Sequence, residues 1–191
     1  MEEFIPNDVI IKASRAKYKY LAIPSIIIVL NFVLAALCPL LFKQYISIGA
    51  LAVYFFLLGV FRHKKEFPKH EQDVVIAPMN GKIVQIKTTE QGSIVTIKKP
   101  FFDSCEFVTA TKQDIPMSLD TESSQVSWTV ECSSKKIFIN ETVDYQAVLI
   151  GIVPGNAICH LFVPKRYDLD VSEGGVVEAG HSEIGVLASE I

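Results

Sequence analysis

Residues of the types that carry chemistry are sparse in this 191-residue chain and stand far apart. Its four cysteines are widely spaced: Cys38, Cys105, Cys132 and Cys159. They form no Cys-x-x-Cys pair, and no histidine lies near them at the spacing of a metal ligand set. The run Asp103-Ser104-Cys105-Glu106 also fits no ligand pattern, and we interpret it as a loop. The sequence therefore predicts reduced, mostly packed thiols and no metal site.

Four other side chains could act in catalysis or binding, but each has a structural explanation. His160 lies in an alternating, strand-like run, which predicts a histidine packed in the core or at its rim. Trp128 lies in another such run, so we expect a core residue rather than a contact with a membrane or head group. Ser172 and Ser182 stand among turn-forming residues, and turn chemistry accounts for both.

Lys135 and Lys136 raise the possibility of a modified lysine at a hairpin tip, as in biotinyl and lipoyl carrier domains. Their flanking residues, Glu-Cys-Ser-Ser before and Ile after, do not match the tips of those domains. We interpret this pair as part of a solvated hairpin.

Two apolar segments precede the rest of the chain. Leu21–Phe42 has 22 residues without a charge, and residues 45–61 add 17 more after the pair Lys43-Gln44. The first is long enough to span a bilayer, and the second is at the lower limit. The sequence predicts a transmembrane helical hairpin over residues 20–61, an N-terminal segment over 1–19 and a folded domain over 62–191.

Basic residues flank the predicted hairpin on both sides, and four of them follow it directly: Arg62, Lys64, Lys65 and Lys69. This distribution predicts a multi-pass protein of an inner membrane with both ends in the cytoplasm. The four side chains are also candidates for contact with phospholipid head groups, at about 1 kcal/mol each. Residues 62–191 carry 13 basic and 18 acidic side chains, so nucleic acid is not an expected partner.

The remainder of the chain consists of short runs rich in β-branched residues with a period near two, which predicts strands. The predicted strands are 74–76, 82–87, 93–98, 125–131, 136–139, 147–153, 157–163 and 176–177, with one more around 107–110 in a long loop. Turn formers such as Pro78-Met79-Asn80-Gly81 and Pro154-Gly155-Asn156 separate them. The pattern indicates an all-β barrel or sandwich.

The order of these parts resembles the short, membrane-anchored phosphatidylserine decarboxylases over the whole chain. The turn-and-strand Ala77-Pro78-Met79-Asn80-Gly81-Lys82-Ile83-Val84 is similar to their Ser-Pro-x-Asp-Gly-Lys-Val-Val, and 171–180 is similar to their glycine-rich terminal segment. The resemblance implies a barrel-sandwich hybrid fold and homodimers. It also implies a pyruvoyl group, which forms when a serine hydroxyl attacks the preceding glycine carbonyl with help from a carboxylate and a histidine.

This chain departs from that pattern at three separated places. Asn80 stands where the family has the carboxylate, and an amide cannot accept a proton at neutral pH. The stretch 99–107, which corresponds to the family's histidine motif, contains no histidine. Ala157 stands where the family has the serine, and without a hydroxyl no pyruvoyl can form there. We therefore expect no pyruvoyl and no other cofactor.

The sequence thus predicts a membrane-anchored, non-catalytic relative of these decarboxylases. Its expected function is to bind a phospholipid head group, or a protein of phospholipid metabolism, at the membrane surface. One alternative is an active decarboxylase, a carboxy-lyase, with a relocated pyruvoyl site. Another is a biotinyl- or lipoyl-like carrier or adaptor.

Overall fold

The computed structural model describes residues 11, 12, 15, 18, 19, 21–23, 25–30, 42–61, 74–112, 118–122, 124–133, 135–137 and 146–188. Residues 21–23 and 25–30 are helical. A longer helix, α1, follows at Phe42–Val60. The rest of the described chain is built mainly from strands.

The strands of the described residues, in chain order, are β1 (Val74–Ile76), β2 (Gly81–Thr88), β3 (Gly92–Lys99), β4 (Glu106–Val108), β5 (Ser127–Cys132), β6 (Lys136–Ile137), β7 (Leu149–Ile152), β8 (Ala157–Pro164), β9 (Tyr167–Leu169), β10 (Val176–Val177) and β11 (Glu183–Leu187). They form three sheets with the orders β10-β2-β3-β8-β5, β1-β11-β9 and β4-β7-β6. Every pairing among them is antiparallel. Most of the predicted strands are present, whereas β9 and β11 are absent from the prediction.

The predicted transmembrane hairpin is wrong. In the part of the chain that the structure describes, no helix combines the length and the apolar character needed to cross a membrane. Lys43 and Gln44, predicted as the turn between two spans, lie in the first turn of α1. The predicted multi-pass location in an inner membrane is wrong for the same reason.

The C-terminal end of α1 packs against the sheets instead. Val60 and Phe61 are buried and share a small core with Cys105 and Val108 around β4 and with Leu149 of β7. Part of the apolar character that suggested a membrane span therefore stabilises a contact within the protein.

The main core lies between the sheets. Its members include Ile83 of β2, Ile97 of β3 and Leu161 of β8, all fully buried. Trp128 is also fully buried, and its ring centroid lies 4.6 Å from that of Phe107 in the neighbouring sheet. The prediction that Trp128 is a core residue is confirmed.

One polar side chain joins two segments near β1. The Gln146 Nε2 group donates to the carbonyl oxygens of Val74 at 2.5 Å and of Ala110 at 3.2 Å. The same Ala110 oxygen also accepts the backbone N–H of Ile76 at 3.0 Å. Gln146 therefore fastens β1 to the segment that follows β4.

Candidate functional site

A buried polar cluster lies at one end of the large sheet, and we define it as Asn80, Asp103, Ser104 and Glu106. Asn80 ends the turn between β1 and β2, while the other three residues end the β3–β4 loop and begin β4. Backbone hydrogen bonds hold the turn on both sides: Val108 N–H donates to Pro78 O at 2.8 Å, and the N–H of Gly180 donates to the oxygen of Ala77 at 2.9 Å.

The sequence requires glycine after Asn80 because the chain makes a close approach there. Gly81 has φ +155°, and a Cβ atom on it would lie 2.6 Å from the carbonyl oxygen of Lys98 on β3. A side chain at this position would push β2 away from β3 and displace the turn that carries Asn80.

The Asn80 amide is the centre of the cluster. Its Nδ2 group donates to Asp103 Oδ1 at 3.3 Å, to Glu106 Oε1 at 3.3 Å and, in a short hydrogen bond, to Ser104 Oγ. Its Oδ1 atom accepts the backbone N–H of Ala179 at 2.5 Å. The amide thus acts as a donor toward two carboxylates and as an acceptor toward the backbone.

The cluster contains more acceptors than donors. An amide nitrogen has two hydrogens, but three oxygens surround Nδ2. Glu106 is fully buried, and its Oε2 atom finds no hydrogen-bond partner among the residues that the structure describes. Such a buried, unpaired carboxylate oxygen costs stability, which makes this end of the sheet a candidate for function.

Lys99 lies beside the cluster at the end of β3 and is also fully buried. Its Nζ group donates to Gly155 O at 2.9 Å and to Pro100 O at 3.4 Å. Burial lowers the pKa of Lys99, and the nearby Cys105, Asp103 and Glu106 partly oppose that effect.

The register places Ala157 in the same region. Ala157 opens β8, is buried and lies opposite Lys99 on one side and Cys132 of β5 on the other. Lys82, two residues after Asn80, pairs with Lys98 at the same end of the sheet. The two positions singled out from the sequence, Asn80 and Ala157, therefore lie on elements that meet at one sheet end.

An exposed apolar surface lies next to the cluster. We define it as seven residues of α1 and the β3–β4 loop: Ile48, Leu51, Val53, Phe55, Phe56, Phe101 and Phe102. The rings of Phe56, Phe101 and Phe102 contact one another, with centroid separations of 5.3–5.7 Å. Phe102 is 65% exposed and Phe101 is 38% exposed.

The four basic residues after α1 and His160 were the other positions singled out from the sequence. Arg62, Lys64, Lys65 and Lys69, the candidate head-group contacts, lie outside the described residues. His160 is partly exposed, with Thr96 Oγ1 3.2 Å from its Nδ1 and Glu131 Oε1 3.8 Å from its Nε2, which confirms a rim histidine.

The described contacts of Lys135 and Lys136 are those of an ordinary hairpin. Lys135 is exposed and donates from Nζ to Val130 O at 2.9 Å, while Lys136 opens β6. In the described residues, no group of three His, Cys, Asp or Glu side chains is arranged to hold a metal ion.

Sequence reasoning missed most of this region. It treated 101–124 as a long loop, so it did not bring Asp103, Ser104 and Glu106 to Asn80. The alternation of β3 could have indicated the buried lysine. Val95, Ile97 and Lys99 are alternate residues of one strand, so their side chains project from the same face, and Val95 and Ile97 are core residues. Lys99 therefore takes an inward-facing position.

Comparison of the chain with family models, with curated proteins and with solved structures gives no match.

Proposed function

We propose that this protein binds the surface of a phospholipid membrane and that it does not cleave its own chain to form a pyruvoyl group. The observation that carries the first part is the exposed apolar surface of α1 and the β3–β4 loop. The second part is supported by the methyl group of Ala157 and by the hydrogen bonds of Asn80.

The apolar surface needs a partner. No charged residue stands between Lys43 and Arg62 in the sequence, and Leu57, Val60 and the adjoining Phe61 at the C-terminal end of α1 pack in the small core around β4 and β7. A helix that is apolar on all sides requires cover from lipid or protein. By the helical period, Ile48, Leu51 and Phe55 share one face of α1, and burial of their exposed parts would contribute about 3–5 kcal/mol by the usual transfer values.

Charge favours lipid as that cover. The sequence places Arg62, Lys64 and Lys65 directly after α1, at a point where the chain leaves the helix. Basic residues next to an apolar segment add about 1 kcal/mol each at an anionic lipid surface. The exposed Phe101 and Phe102 rings extend the apolar surface on the adjacent loop.

The cluster around Asn80 is built for an amide rather than for the carboxylate of an active decarboxylase. A carboxylate at residue 80 would replace the NH2 group, with its two donors, by one oxygen atom, and would form a group of three carboxylates with those of Asp103 and Glu106. Like charges at such distances repel strongly in a buried site. The amide removes that repulsion but cannot serve as a base.

Vesicle flotation with the full chain tests membrane binding. We expect the protein to float with phosphatidylcholine vesicles and to float more completely when phosphatidylglycerol is added. Raising the salt concentration should remove only the additional binding that phosphatidylglycerol causes, because salt screens charge but does not weaken apolar contact. Protein that stays in the dense fraction with both vesicle types contradicts the proposal. A dimer that does not float would assign the apolar surface to a second copy and contradict it equally.

Intact-mass measurement tests the absence of self-cleavage. We expect one chain near the 21.2 kDa of the full sequence. Two fragments that meet between Asn156 and Ala157, or at a relocated serine, would show an active, pyruvoyl-forming enzyme. An added mass on Lys135 or Lys136 would instead indicate a carrier.

A further inference from the structure

Two lysines face each other across strands β2 and β3. Lys82 and Lys98 are directly paired in the register, and both side chains are exposed. Directly opposite residues of antiparallel strands project from the same face of the sheet, with Cβ atoms about 4.5–5.5 Å apart. Two like charges in such a pair destabilise the sheet when no opposite charge lies between them. The lysine pair is therefore a candidate site for an anion.

The described residues supply no opposite charge to this pair. Neither Lys82 nor Lys98 forms an ion pair with any of them. Glu131 lies in the same cross-strand row as Lys98, two strands away, and its Oε1 atom lies 3.8 Å from His160 Nε2 instead. Lys82 leans to the other side of β2, where its Cε atom lies 3.9 Å from the point that a Cβ on Gly174 would occupy in the turn before β10. Both ammonium groups are thus available to an external anion.

The lysine pair lies at the same end of the large sheet as the exposed apolar surface. Lys98 stands three residues before Phe101, and three residues span at most about 11 Å. The proposed membrane contact places the exposed rings of Phe101 and Phe102 in lipid. A lysine side chain can lay its methylene groups along apolar surface while its charge stays at the polar level. Membrane contact through these rings therefore brings the lysine pair to the level of the lipid phosphates.

The charge of the pair favours one kind of phosphate group. A phosphodiester, as in phosphatidylglycerol, carries a single negative charge, whereas a phosphomonoester carries about −1.5 to −2 charges near pH 7 and presents three acceptor oxygens. Each lysine ammonium carries one positive charge and three donors. One phosphomonoester can therefore neutralise both lysines and accept hydrogen bonds from both, while one phosphodiester leaves part of their repulsion in place.

We propose that Lys82 and Lys98 together bind the phosphomonoester head group of an anionic phospholipid, that of phosphatidic acid. This inference rests on the proposed membrane binding and adds the lipid class that the membrane-bound protein prefers. The basic residues that follow α1 in the sequence respond to negative surface charge of any kind. The lysine pair, in contrast, distinguishes one phosphate head group from another.

Binding of the full chain to two sets of vesicles tests this inference. One set contains phosphatidic acid and the other contains phosphatidylglycerol, at contents adjusted to equal zeta potential. We expect tighter binding to the phosphatidic acid vesicles by about 5-fold or more, and Lys82→Gln or Lys98→Gln should remove most of that preference, because one basic residue contributes about this factor at an anionic surface. Lys87→Gln is the matched control and should keep the preference, since Lys87 is also exposed on β2 but pairs with Ile94, toward the other end of the sheet.

The outcomes separate this inference from membrane binding itself. Binding to both vesicle sets without a preference, or an equal loss of preference in Lys87→Gln and Lys98→Gln, overturns the inference and leaves membrane binding supported. A protein that binds neither set contradicts both. Micromolar binding of glycerol 3-phosphate without vesicles, measured by calorimetry, would assign the pair to a soluble phosphomonoester and overturn the lipid assignment. Lys98→Gln should leave the urea midpoint unchanged or raise it, because it removes a like-charge contact; a lower midpoint would show a structural role and overturn the inference.

Discussion

Phe102 provides the sharpest test of membrane binding, because it is the most exposed ring of the apolar surface. A phenylalanine side chain offers an accessible area of about 200 Å², so the 65% that is exposed corresponds to about 130 Å². At about 25 cal/mol per Å², full transfer of that area into lipid contributes about 3 kcal/mol, and half transfer contributes about 1.5 kcal/mol. Phe102→Ser should therefore lower the vesicle partition coefficient by about 10- to 150-fold.

The loss of vesicle binding should be graded with the exposure of the ring that is removed. Phe101 is 38% exposed, so Phe101→Ser should cost a little more than half the free energy that Phe102→Ser costs. Val176→Ser is the control, because Val176 is 82% exposed on β10 and lies outside the apolar surface. Titration of vesicles against fixed protein measures the partition coefficients, and urea unfolding confirms that each variant remains folded. Equal losses for Phe102→Ser and Val176→Ser, or no loss for either, would refute the reasoning.

Three further predictions concern the core, the buried lysine and the decarboxylase resemblance. Trp128→Ala should lower the free energy of unfolding by about 3–5 kcal/mol, measured by urea denaturation, because the fully buried ring packs on Phe107. Burial lowers the pKa of Lys99 below its ordinary 10.5, so the unfolded chain binds this proton more tightly than the folded chain does. Stability should then rise with pH between the lowered pKa and 10.5, and Lys99→Met should remove that rise in urea titrations across this range. Ala157→Ser should remain one chain in a denaturing gel, because an amide at residue 80 cannot accept the serine proton and the nearby Asp103 Oδ1 and Glu106 Oε1 already accept from that amide; the appearance of two fragments would contradict this.

The β part of the fold could be predicted from local pattern because apolar and polar residues alternate along its strands. Runs such as Gly92–Lys99 and Ala157–Pro164 place apolar residues on one face with a period of two, and that period is visible without tertiary information. Tyr167–Leu169 and Glu183–Leu187 could not be found in this way. The first has three residues with an exposed Asp168 at its centre, and the second contains a glycine, so they are defined by their pairing with each other and by the pairing of the second with β1.

The error in the helical region has a different cause. Hydropathy measures how apolar a segment is but not what covers it, and Val60 and Phe61 are covered by the sheets. The residues of the site were hidden for a related reason. Asp103 and Glu106 stand more than twenty residues after Asn80, and only the pairing of β2 with β3 brings the two ends together.

Gln146 has a consequence for behaviour at high concentration. Among the described strands β1 is one of the two outer strands of its sheet, and its outward-facing backbone groups are covered by the Ala110 oxygen at Ile76 and by Gln146 at Val74. By occupying the Val74 oxygen, the glutamine amide blocks one of those groups and keeps the neighbouring chain in place. Gln146→Ala would free the Val74 oxygen and loosen the segment that carries Ala110, and the outcome to look for is self-association through added strands, visible as time-dependent aggregation at unchanged secondary structure.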